Sequence, residues 1–371
     1  MADEPLDDLG GRTPLEVAKK PHMDALAKKG RVGRALFTPH TLAAASDVAC
    51  LSILGFNPEE SYTGIAPLEA VTMGLSQKDQ DVAFRCDLVT VMDDVLFDTS
   101  ASRITPAESK LLVAELNKKL GDKRVQFYPG DGYKNILMIS DPELAESLDE
   151  LECTSPRRII GQKFVKSLPK GRAANVLTEL MDKSKEVLEN HEINRVRIDL
   201  NENPANMIWP WGQGRRPKLG SFIERYKIQP AYISKAEYVR GLAKLLGIPA
   251  SESVEKAAAE ADAIFVYEEG RDGHRPDELK AKIKRIEDFD SQVVGPVVKL
   301  LDRFSDARIL VTTDCASSIT KQMPFHGYVP FLVCGTGIVA DEAQAFNEKQ
   351  TAQSQWLLDA GYQLMESLLK K

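Results

Sequence analysis

A serine set among small residues is the first side chain in this sequence whose surroundings suit chemistry. Ser46 is followed by Asp47 and by the mostly apolar run of residues 48–54, and this pattern predicts a helix that begins near Ser46. The N-terminus of a helix carries unpaired N–H groups and partial positive charge, so it stabilises an alkoxide and holds a phosphate. A serine before an aspartate at a helix start is also an ordinary cap, and this stretch alone favours the cap.

Polar side chains also follow two apolar segments in the C-terminal part of the chain. Glu269 comes just after residues 263–267, and Asp314 and Cys315 come just after residues 309–313. Alternating strands and helices in this part predict a mostly parallel sheet, and such sheets bind ligands beyond the carboxyl ends of their strands. Divalent ions held there would lower the pKa of a serine and neutralise phosphate oxygens. The serine, the carboxylates and a histidine therefore indicate metal-assisted phosphoryl transfer.

The elements that must position these side chains change character near residue 64 and again after residue 219. Between these points, strands, helices and a hairpin in mixed order predict an α+β unit with helices on one face of an open sheet. The elements predicted there are strand 81–91, helix 105–116, hairpin strands 124–127 and 135–139, helix 173–190 and strand 195–200. After residue 228 the predicted order is strand 231–233, helix 235–246, strand 263–267, helix 277–304, strands 309–313 and 329–333, and a final helix from residue 351.

Length and composition limit the kind of protein. The chain has 371 residues, 43% hydrophobic and 28% charged, which is typical of a globular protein long enough for two domains. Its net charge of -7 argues against nucleic acid or an anionic membrane as the main partner. The 5 widely spaced cysteines indicate reduced thiols, and no apolar run reaches the roughly 18 residues that a membrane span needs. We therefore expect a cytoplasmic protein that binds neither nucleic acid nor membrane.

Several blocks of sequence, taken together, resemble one known family. These blocks are Leu9-Gly-Gly-Arg-Thr-Pro-Leu-Glu-Val-Ala, Ser46-Asp-Val-Ala, Tyr62-Thr-Gly, Asp81-Val-Ala-Phe-Arg-Cys and Ile208-Trp-Pro-Trp-Gly-Gln-Gly. With them the chain resembles, over nearly its whole length, the archaeal-type cofactor-independent phosphoglycerate mutases, a branch of the alkaline phosphatase superfamily. Each block alone is weak, whereas their order along the chain is specific for the family.

The resemblance implies a fold and an activity. The implied fold is α/β: an alkaline-phosphatase-like α/β/α core formed by residues 1–63 and 220–371, with an α+β cap domain, residues 64–219, inserted after the serine segment. The implied enzyme is an isomerase that interconverts 3- and 2-phosphoglycerate, a small phosphorylated metabolite, through a phosphoserine on Ser46. It also implies two divalent metal ions, manganese or zinc.

The resemblance further implies which side chains form the site. Ser46 is the implied catalytic nucleophile. The implied metal ligands are Ser46, Glu269, His274, Asp314, Cys315 and His326. The implied substrate contacts are Arg85, Asp87, Lys134 and Asn206.

The sequence departs from the family pattern at several of these positions. Glu269 stands where the family has an aspartate, Cys315 where it has a histidine, and Lys134 and Ile65 where it has arginines. Lysine lacks the planar fork with which arginine grips a carboxylate or phosphate at two points. Members also begin with a short apolar strand that ends in Asp-Gly. A start codon assigned too far downstream, or a real loss, would each account for its absence before Met1.

These departures leave other functions open beside the mutase activity. The chain could keep the fold as a binding or regulatory module with a degenerate metal site, which would make it a pseudoenzyme. It could also be a related phosphotransferase, such as a homoserine-kinase-like enzyme. Metal content and turnover distinguish the first of these from an active mutase.

Overall fold

The chain folds as two units in the computed structural model, which describes residues 1–270 and 278–369. The first unit contains Met1–Tyr62, Ser221–Val239 and Gly247–Lys371. The second unit contains Thr63–Gly220 and Arg240–Leu246. None of the helices in the described ranges combines the length and the apolar character that crossing a bilayer requires.

The helices lie at the following positions. They are α1 (Pro14–Val17), α2 (Pro21–Lys29), α3 (Ser46–Ile53), α4 (Pro58–Ser61), α5 (Ile65–Thr72), α6 (Pro106–Leu120), α7 (Ala145–Asp149), α8 (Ala174–Leu188), α9 (Glu192–Asp199), α10 (Phe222–Tyr226), α11 (Glu237–Leu246), α12 (Val254–Glu260), α13 (Glu278–Phe289), α14 (Gly295–Leu301), α15 (Glu348–Gln353) and α16 (Gln363–Leu369).

The strands lie between these helices, singly or in groups. They are β1 (Arg31–Ala35), β2 (Asp81–Met92), β3 (Val95–Asp98), β4 (Val125–Tyr128), β5 (Lys134–Ser140), β6 (Met207–Gly214), β7 (Pro230–Ile233), β8 (Ala263–Val266), β9 (Arg308–Thr312), β10 (Ala316–Ser318), β11 (Met323–Phe325), β12 (Val329–Gly335) and β13 (Leu357–Leu358).

The main sheet of the first unit has the strand order β13-β1-β12-β9. β12 pairs antiparallel with β1 and with β9, whereas β13 lies parallel to β1. The prediction of a mostly parallel sheet is therefore wrong here. Between β9 and β12 the chain forms the hairpin β10–β11 instead of a crossover helix, so β12 returns in the opposite direction. The separate pair β7–β8 is parallel and is joined through α11 and α12, as the βαβ pattern predicts.

The sheet of the second unit is built around β2, which is buried along almost its whole length. β5 and β6 pair with it in antiparallel fashion, β3 continues it as a hairpin, and β4 pairs with β5. The predicted helix 105–116 is confirmed as α6, which begins with a reciprocal capping box between Thr105 and Glu108. The sequence pattern does not predict β6, because Pro210 and two glycines interrupt its apolar residues.

The predicted strand at residues 195–200 is wrong, since these residues belong to the helix α9 and its C-terminal end. The alternation of Val196, Ile198 and Leu200 suggested a half-buried strand, but all three side chains are exposed. Asn194 and Arg197 form the buried face instead. The spacing of three between these two polar residues is helical, and polar residues on a buried face are what the hydrophobic pattern could not reveal.

The long helix predicted at residues 277–304 contains a change of helix type. α13 passes into a π-helical turn at Asp290–Val294 and then into α14. The buried carboxylate of Asp290 accepts hydrogen bonds from the backbone amides of His22 (3.1 Å) and Met23 (2.7 Å) at the start of α2. The Asp290 carboxylate, at the first residue of this turn, therefore binds two of the backbone amides that the N-terminus of α2 leaves unpaired. The predicted final helix from residue 351 is likewise two helices, α15 and α16, separated by β13.

Candidate active site

Ser46 is the first residue of α3 and is half-buried. The residue before it, Ala45, has extended backbone angles and supplies no side-chain cap, so Ser46 is not the cap that the sequence stretch alone favours. The first backbone hydrogen bond of the helix runs from the Ala49 amide to the Ala45 carbonyl (3.1 Å). The amides of residues 46–48 precede that bond and form the electropositive end of the helix, beside the Ser46 hydroxyl.

The residue after the serine is a buried aspartate. Asp47 lies in the first turn of α3, where a negative charge is favourable, and the hydroxyl of Tyr62 donates a hydrogen bond to its Oδ2. The Tyr62 hydroxyl therefore fixes the Asp47 carboxylate, and the negative charge of that carboxylate stabilises the N-terminus of α3.

The side chain of Cys315 contacts the serine. Its Sγ lies 3.8 Å from Ser46 Oγ, and either atom could be the donor. Burial raises the pKa of the Cys315 thiol, and the charge of Asp314 raises it further. The Cys315 thiol is therefore neutral at physiological pH, and binding a metal ion would require it to lose its proton.

Asp314, the residue before this cysteine, is fixed by hydrogen bonds on both carboxylate oxygens. The Cys315 amide donates to Oδ1 at 2.8 Å, and the hydroxyl of Tyr267 donates to Oδ2 at 2.9 Å. The hydroxyl of Tyr238 lies 2.7 Å from that of Tyr267. Burial raises the pKa of both tyrosines, so both remain protonated donors. The sequence pattern does not predict these two tyrosines as part of the site, although Tyr267 directly follows β8.

The other predicted metal ligands lie in different surroundings. Glu269 is exposed, and its charge contributes to raising the pKa of Tyr238. The Nδ1 atom of His326 lies 3.3 Å from the carbonyl oxygen of Thr38, and its ring centroid is 4.9 Å from that of His40. His274 lies outside the described residues.

The described residues do not fit a resident metal centre. Within residues 1–270 and 278–369, no three side chains of His, Cys, Asp or Glu are grouped so that they could hold a metal ion. The two carboxylate oxygens of Asp314 accept hydrogen bonds from the protein, and the Cys315 thiol is in contact with Ser46. Ser46, Asp314 and Cys315 are thus brought together, but as a hydrogen-bonded group.

The predicted substrate contacts lie in the second unit, around the buried guanidinium of Arg85. This group is 3.1 Å from a carboxylate oxygen of Glu69 and 3.6 Å from one of Asp87, and it lies over the ring of Trp211 at 4.9 Å from the ring centroid. The indole nitrogen of Trp211 donates to the second oxygen of Asp87 at 2.8 Å. The sheet register explains the cluster, because Arg85 faces Trp211 across the β2–β6 pair.

Two further predicted contacts border β2. Lys134 is paired with Asp87 in the β2–β5 register, and the charges of Arg85, Arg157 and Lys134 partly offset the burial that raises the pKa of Asp87. The side chain of Asn206 accepts from the Val91 amide (2.8 Å) and donates to the Val91 carbonyl (2.9 Å). Asn206 therefore extends the β2 ladder with its side-chain amide.

The buried carboxyl of Asp87 predicts how stability depends on pH. Since its pKa is raised in the folded state, its contribution to stability is present below the unfolded value of about 4 and is lost as the pH rises through the folded pKa. Asp87→Asn removes the ionisable group, so this position no longer loses stability as the pH rises. The side-chain oxygen of the asparagine can still accept the hydrogen bond from the Trp211 indole. We expect urea unfolding to show that the variant gains stability relative to the unmodified chain between pH 4.5 and pH 7.5. Asp79→Asn at an exposed site is the control, and a relative loss at pH 7.5 for Asp87→Asn would contradict the assignment.

Comparisons with known proteins identify relatives that match the whole chain. The family model described as 2,3-bisphosphoglycerate-independent phosphoglycerate mutase matches residues 27–194. The mutase of that name from Methanothrix thermoacetophila is 36% identical over 389 residues, which cover 100% of this chain and 97% of that protein. The one from Methanosarcina barkeri is 37% identical, with 100% and 97% covered.

Solved structures support the predicted fold class. The PH0037 protein from Pyrococcus horikoshii superposes with a TM-score of 0.78 at 24% identity, over 100% of this chain and 94% of that one. The cofactor-independent phosphoglycerate mutase from Thermoplasma acidophilum superposes with a TM-score of 0.59 at 23% identity. The predicted α/β class is confirmed, and an alkaline-phosphatase-like core is consistent with it. Because full-length relatives share more than 30% of their residues with it, the chain belongs to the 2,3-bisphosphoglycerate-independent phosphoglycerate mutase family.

Proposed function

We propose that this chain is an isomerase that interconverts 3- and 2-phosphoglycerate, with Ser46 as the phosphate acceptor. The observation that carries the proposal is the position of Ser46 at the first residue of α3, with its hydroxyl in contact with Cys315, whose amide binds the Asp314 carboxylate just after β9. Full-length relatives that are named as phosphoglycerate mutases support the choice of reaction. The substrate is accordingly a small phosphorylated metabolite.

In the proposed reaction the phosphoryl group moves to the protein and back. Ser46 Oγ attacks phosphorus, the Oγ–P bond forms while the bond from phosphorus to the 3-oxygen breaks, and the serine proton is transferred to that oxygen. The 2-hydroxyl of the retained glycerate then attacks phosphorus, the Oγ–P bond breaks, and the serine regains a proton. The amides at the start of α3 stabilise the negative charge on the phosphoryl oxygens and on the serine oxygen.

Membership of this family implies metal dependence in general. The finer expectation of two divalent ions, manganese or zinc, requires ligands beyond those that the described residues bring together. We therefore assign no step to a metal ion. Ser46, Glu269, His274, Asp314, Cys315 and His326 are metal ligands only in so far as the family pattern implies them.

We propose that the second unit binds the anionic groups of the substrate. Arg85 forms ion pairs with Glu69 and Asp87, so a substrate carboxylate would exchange with one of these partners. Lys134, paired with Asp87 in the sheet, would contribute a single positive charge. Asn206 would act indirectly by fixing the end of β2.

The proposal is tested by following the phosphoryl group. Incubation of the full chain with 3-phosphoglycerate should produce 2-phosphoglycerate, detected by phosphorus NMR. Acid quenching during turnover should leave one phosphoryl group on the peptide that contains Ser46, located by mass spectrometry. Formation of 2-phosphoglycerate without a phosphoryl group on this peptide, or with a phosphoryl group on another residue, would contradict a phosphoserine at position 46.

A second candidate function is binding without turnover. The hydrogen-bonded group of Ser46, Cys315 and Asp314 favours it, because no described side chain beside Ser46 is arranged as a metal ligand set that would activate its hydroxyl. In this case calorimetry would detect 3-phosphoglycerate binding, the NMR assay would show no product with or without added Mn²⁺ or Zn²⁺, and Ser46→Ala would leave binding unchanged.

A further inference from the structure

Two tyrosines, Tyr238 and Tyr267, lie next to Asp314 in the first unit, which also contains Ser46. Tyr267 follows β8 and is fixed by its backbone, whose amide donates to the Ile233 carbonyl at 3.0 Å. Tyr238 is buried in α11, and the two rings meet nearly edge-on with centroids 6.1 Å apart. Neither tyrosine is needed for the proposed transfer of the phosphoryl group, so their arrangement calls for a separate explanation.

The direction of the hydrogen bonds follows from the number of protons available. A phenol has one proton, and that of Tyr267 is donated to Asp314 Oδ2. The bond of 2.7 Å between the two hydroxyls must then be donated by Tyr238. The chain of donors runs from Tyr238 to Tyr267 to the carboxylate, and each bond strengthens the next.

The same carboxylate is bound from its other side. Its Oδ1 accepts the Cys315 amide at 2.8 Å, and Thr313 Oγ1 lies 3.5 Å away. A cation at Asp314 would have to share Oδ2 with the Tyr267 hydroxyl, which lies 2.9 Å from that oxygen. To use the sulfur of Cys315, it would also have to remove the thiol proton beside the Ser46 hydroxyl, which lies 3.8 Å from that sulfur.

We propose that the Tyr238–Tyr267 pair takes the place of a metal ion on Asp314: it orients the carboxylate and lowers the affinity of the Asp314–Cys315 corner for divalent metals. Asp314 is held so that its neighbour Cys315 stays in contact with Ser46. The inference concerns metal affinity and does not depend on mutase turnover, so it can fail or succeed independently of the proposed function.

The alternative role for Tyr267 is to support a bound metal ion. The two roles predict opposite changes in metal affinity when the Tyr267 hydroxyl is removed. A carboxylate that ligates a metal is often held by an outer hydrogen-bond donor, whose removal costs about 10- to 100-fold in metal affinity. If Tyr267 were such a donor, Tyr267→Phe would weaken metal binding. If it takes the place of the metal, Tyr267→Phe strengthens metal binding.

The test is a titration of the metal-free full chain with Co²⁺, read by absorbance, because Co²⁺ gives a charge-transfer band when a thiolate binds it. The affinity tag is placed at the C-terminus, since the Met1 amino group lies 3.1 Å from Thr313 Oγ1. We expect Tyr267→Phe to raise Co²⁺ affinity about tenfold or more, the scale of one hydrogen bond to a charged group. The thiolate band should appear in this variant and disappear in Tyr267→Phe/Cys315→Ser. Tyr238→Phe, which leaves the bond to Asp314 in place, should raise the affinity less.

Two outcomes would overturn the proposal. One is unchanged or weaker Co²⁺ binding by a Tyr267→Phe variant that melts at the temperature of the unmodified chain. The other comes from Asp314→Asn in the otherwise unmodified chain: we expect its Co²⁺ affinity to stay within about twofold, and a loss of binding would make Asp314 a working metal ligand. The second measurement decides the question even if Tyr267→Phe does not fold.

Discussion

Replacing Ser46 with alanine is expected to lower kcat for the interconversion of 3- and 2-phosphoglycerate by at least about 10³-fold, because the loss of a covalent nucleophile removes the main reaction path. The melting temperature should change little, since Ser46 is half-buried and its side chain does not cap α3. Coupled assay of 2-phosphoglycerate formation measures the effect, and thermal unfolding confirms that the variant is folded.

Ser52→Ala is the matched control for this experiment. Ser52 lies on the same helix and is buried, and its Oγ has no hydrogen-bond partner among the described residues. Its removal should leave kcat within about twofold of the unmodified chain, as for a residue away from the chemistry. If Ser46→Ala behaved like this control, Ser46 would not be the phosphate acceptor.

Removing the buried guanidinium of Arg197 should destabilise the second unit by about 3 kcal/mol, because breaking a buried charge network leaves its partners unpaired. Arg197 is 2% exposed on α9 and binds the Glu108 carboxylate at 2.8 Å and that of Glu202 at 3.0 Å. It also donates to the carbonyl of Asn203 at 3.1 Å and to that of Ala101. Urea unfolding of Arg197→Met should show the loss.

The same helix provides the control for Arg197. Arg195 is exposed two residues earlier, so Arg195→Met should change stability by less than about 0.5 kcal/mol. The contrast isolates burial from the general effect of removing an arginine from α9. Equal effects of the two substitutions would mean that the contacts of Arg197 are not what stabilises this unit.

Through its hydrogen bond to the Ala101 carbonyl, Arg197 also stabilises a turn with unfavourable backbone angles. Ala101, Ser102 and Arg103 all have positive φ angles, of 46°, 52° and 58°. This left-handed conformation costs roughly 1–2 kcal/mol for each residue with a side chain. The Asp98 carboxylate, which accepts from the Ser102 amide at 2.7 Å, and Arg197 together hold the turn in place.

Local features of the fold were predictable from sequence. The start of α6 follows from Thr105, Pro106 and Glu108, whose effects act over one helical turn. The start of α3 at Ser46 follows from the change from small to apolar residues. Strand direction was not predictable, because it depends on how the chain returns between β9 and β12 and not on the composition of either strand.

The candidate site was predictable to a similar extent. Ser46, Asp314 and Cys315 were identified from residue type, position and resemblance, and they do lie together. The two tyrosines next to Asp314 were not predicted, because Tyr238 and Tyr267 are separated by 29 residues and only tertiary structure brings their hydroxyls together. Residue spacing along the chain contains no signal for such a pair.

The π-helical turn at Asp290–Val294 sets the rotational phase of the helical segment that begins with α13. The buried positions along this segment are four residues apart: Lys282, Ile286, Asp290 and Val294. In a regular α-helix each step of four residues advances by about 40° around the axis, so the last of them would be rotated by roughly 120° from the first. The wider turn reverses part of this drift and keeps Val294 on the buried face that begins with Lys282. A change of one residue in its length would rotate α14 by about 100°, so chain length in this turn is as strongly constrained as residue identity.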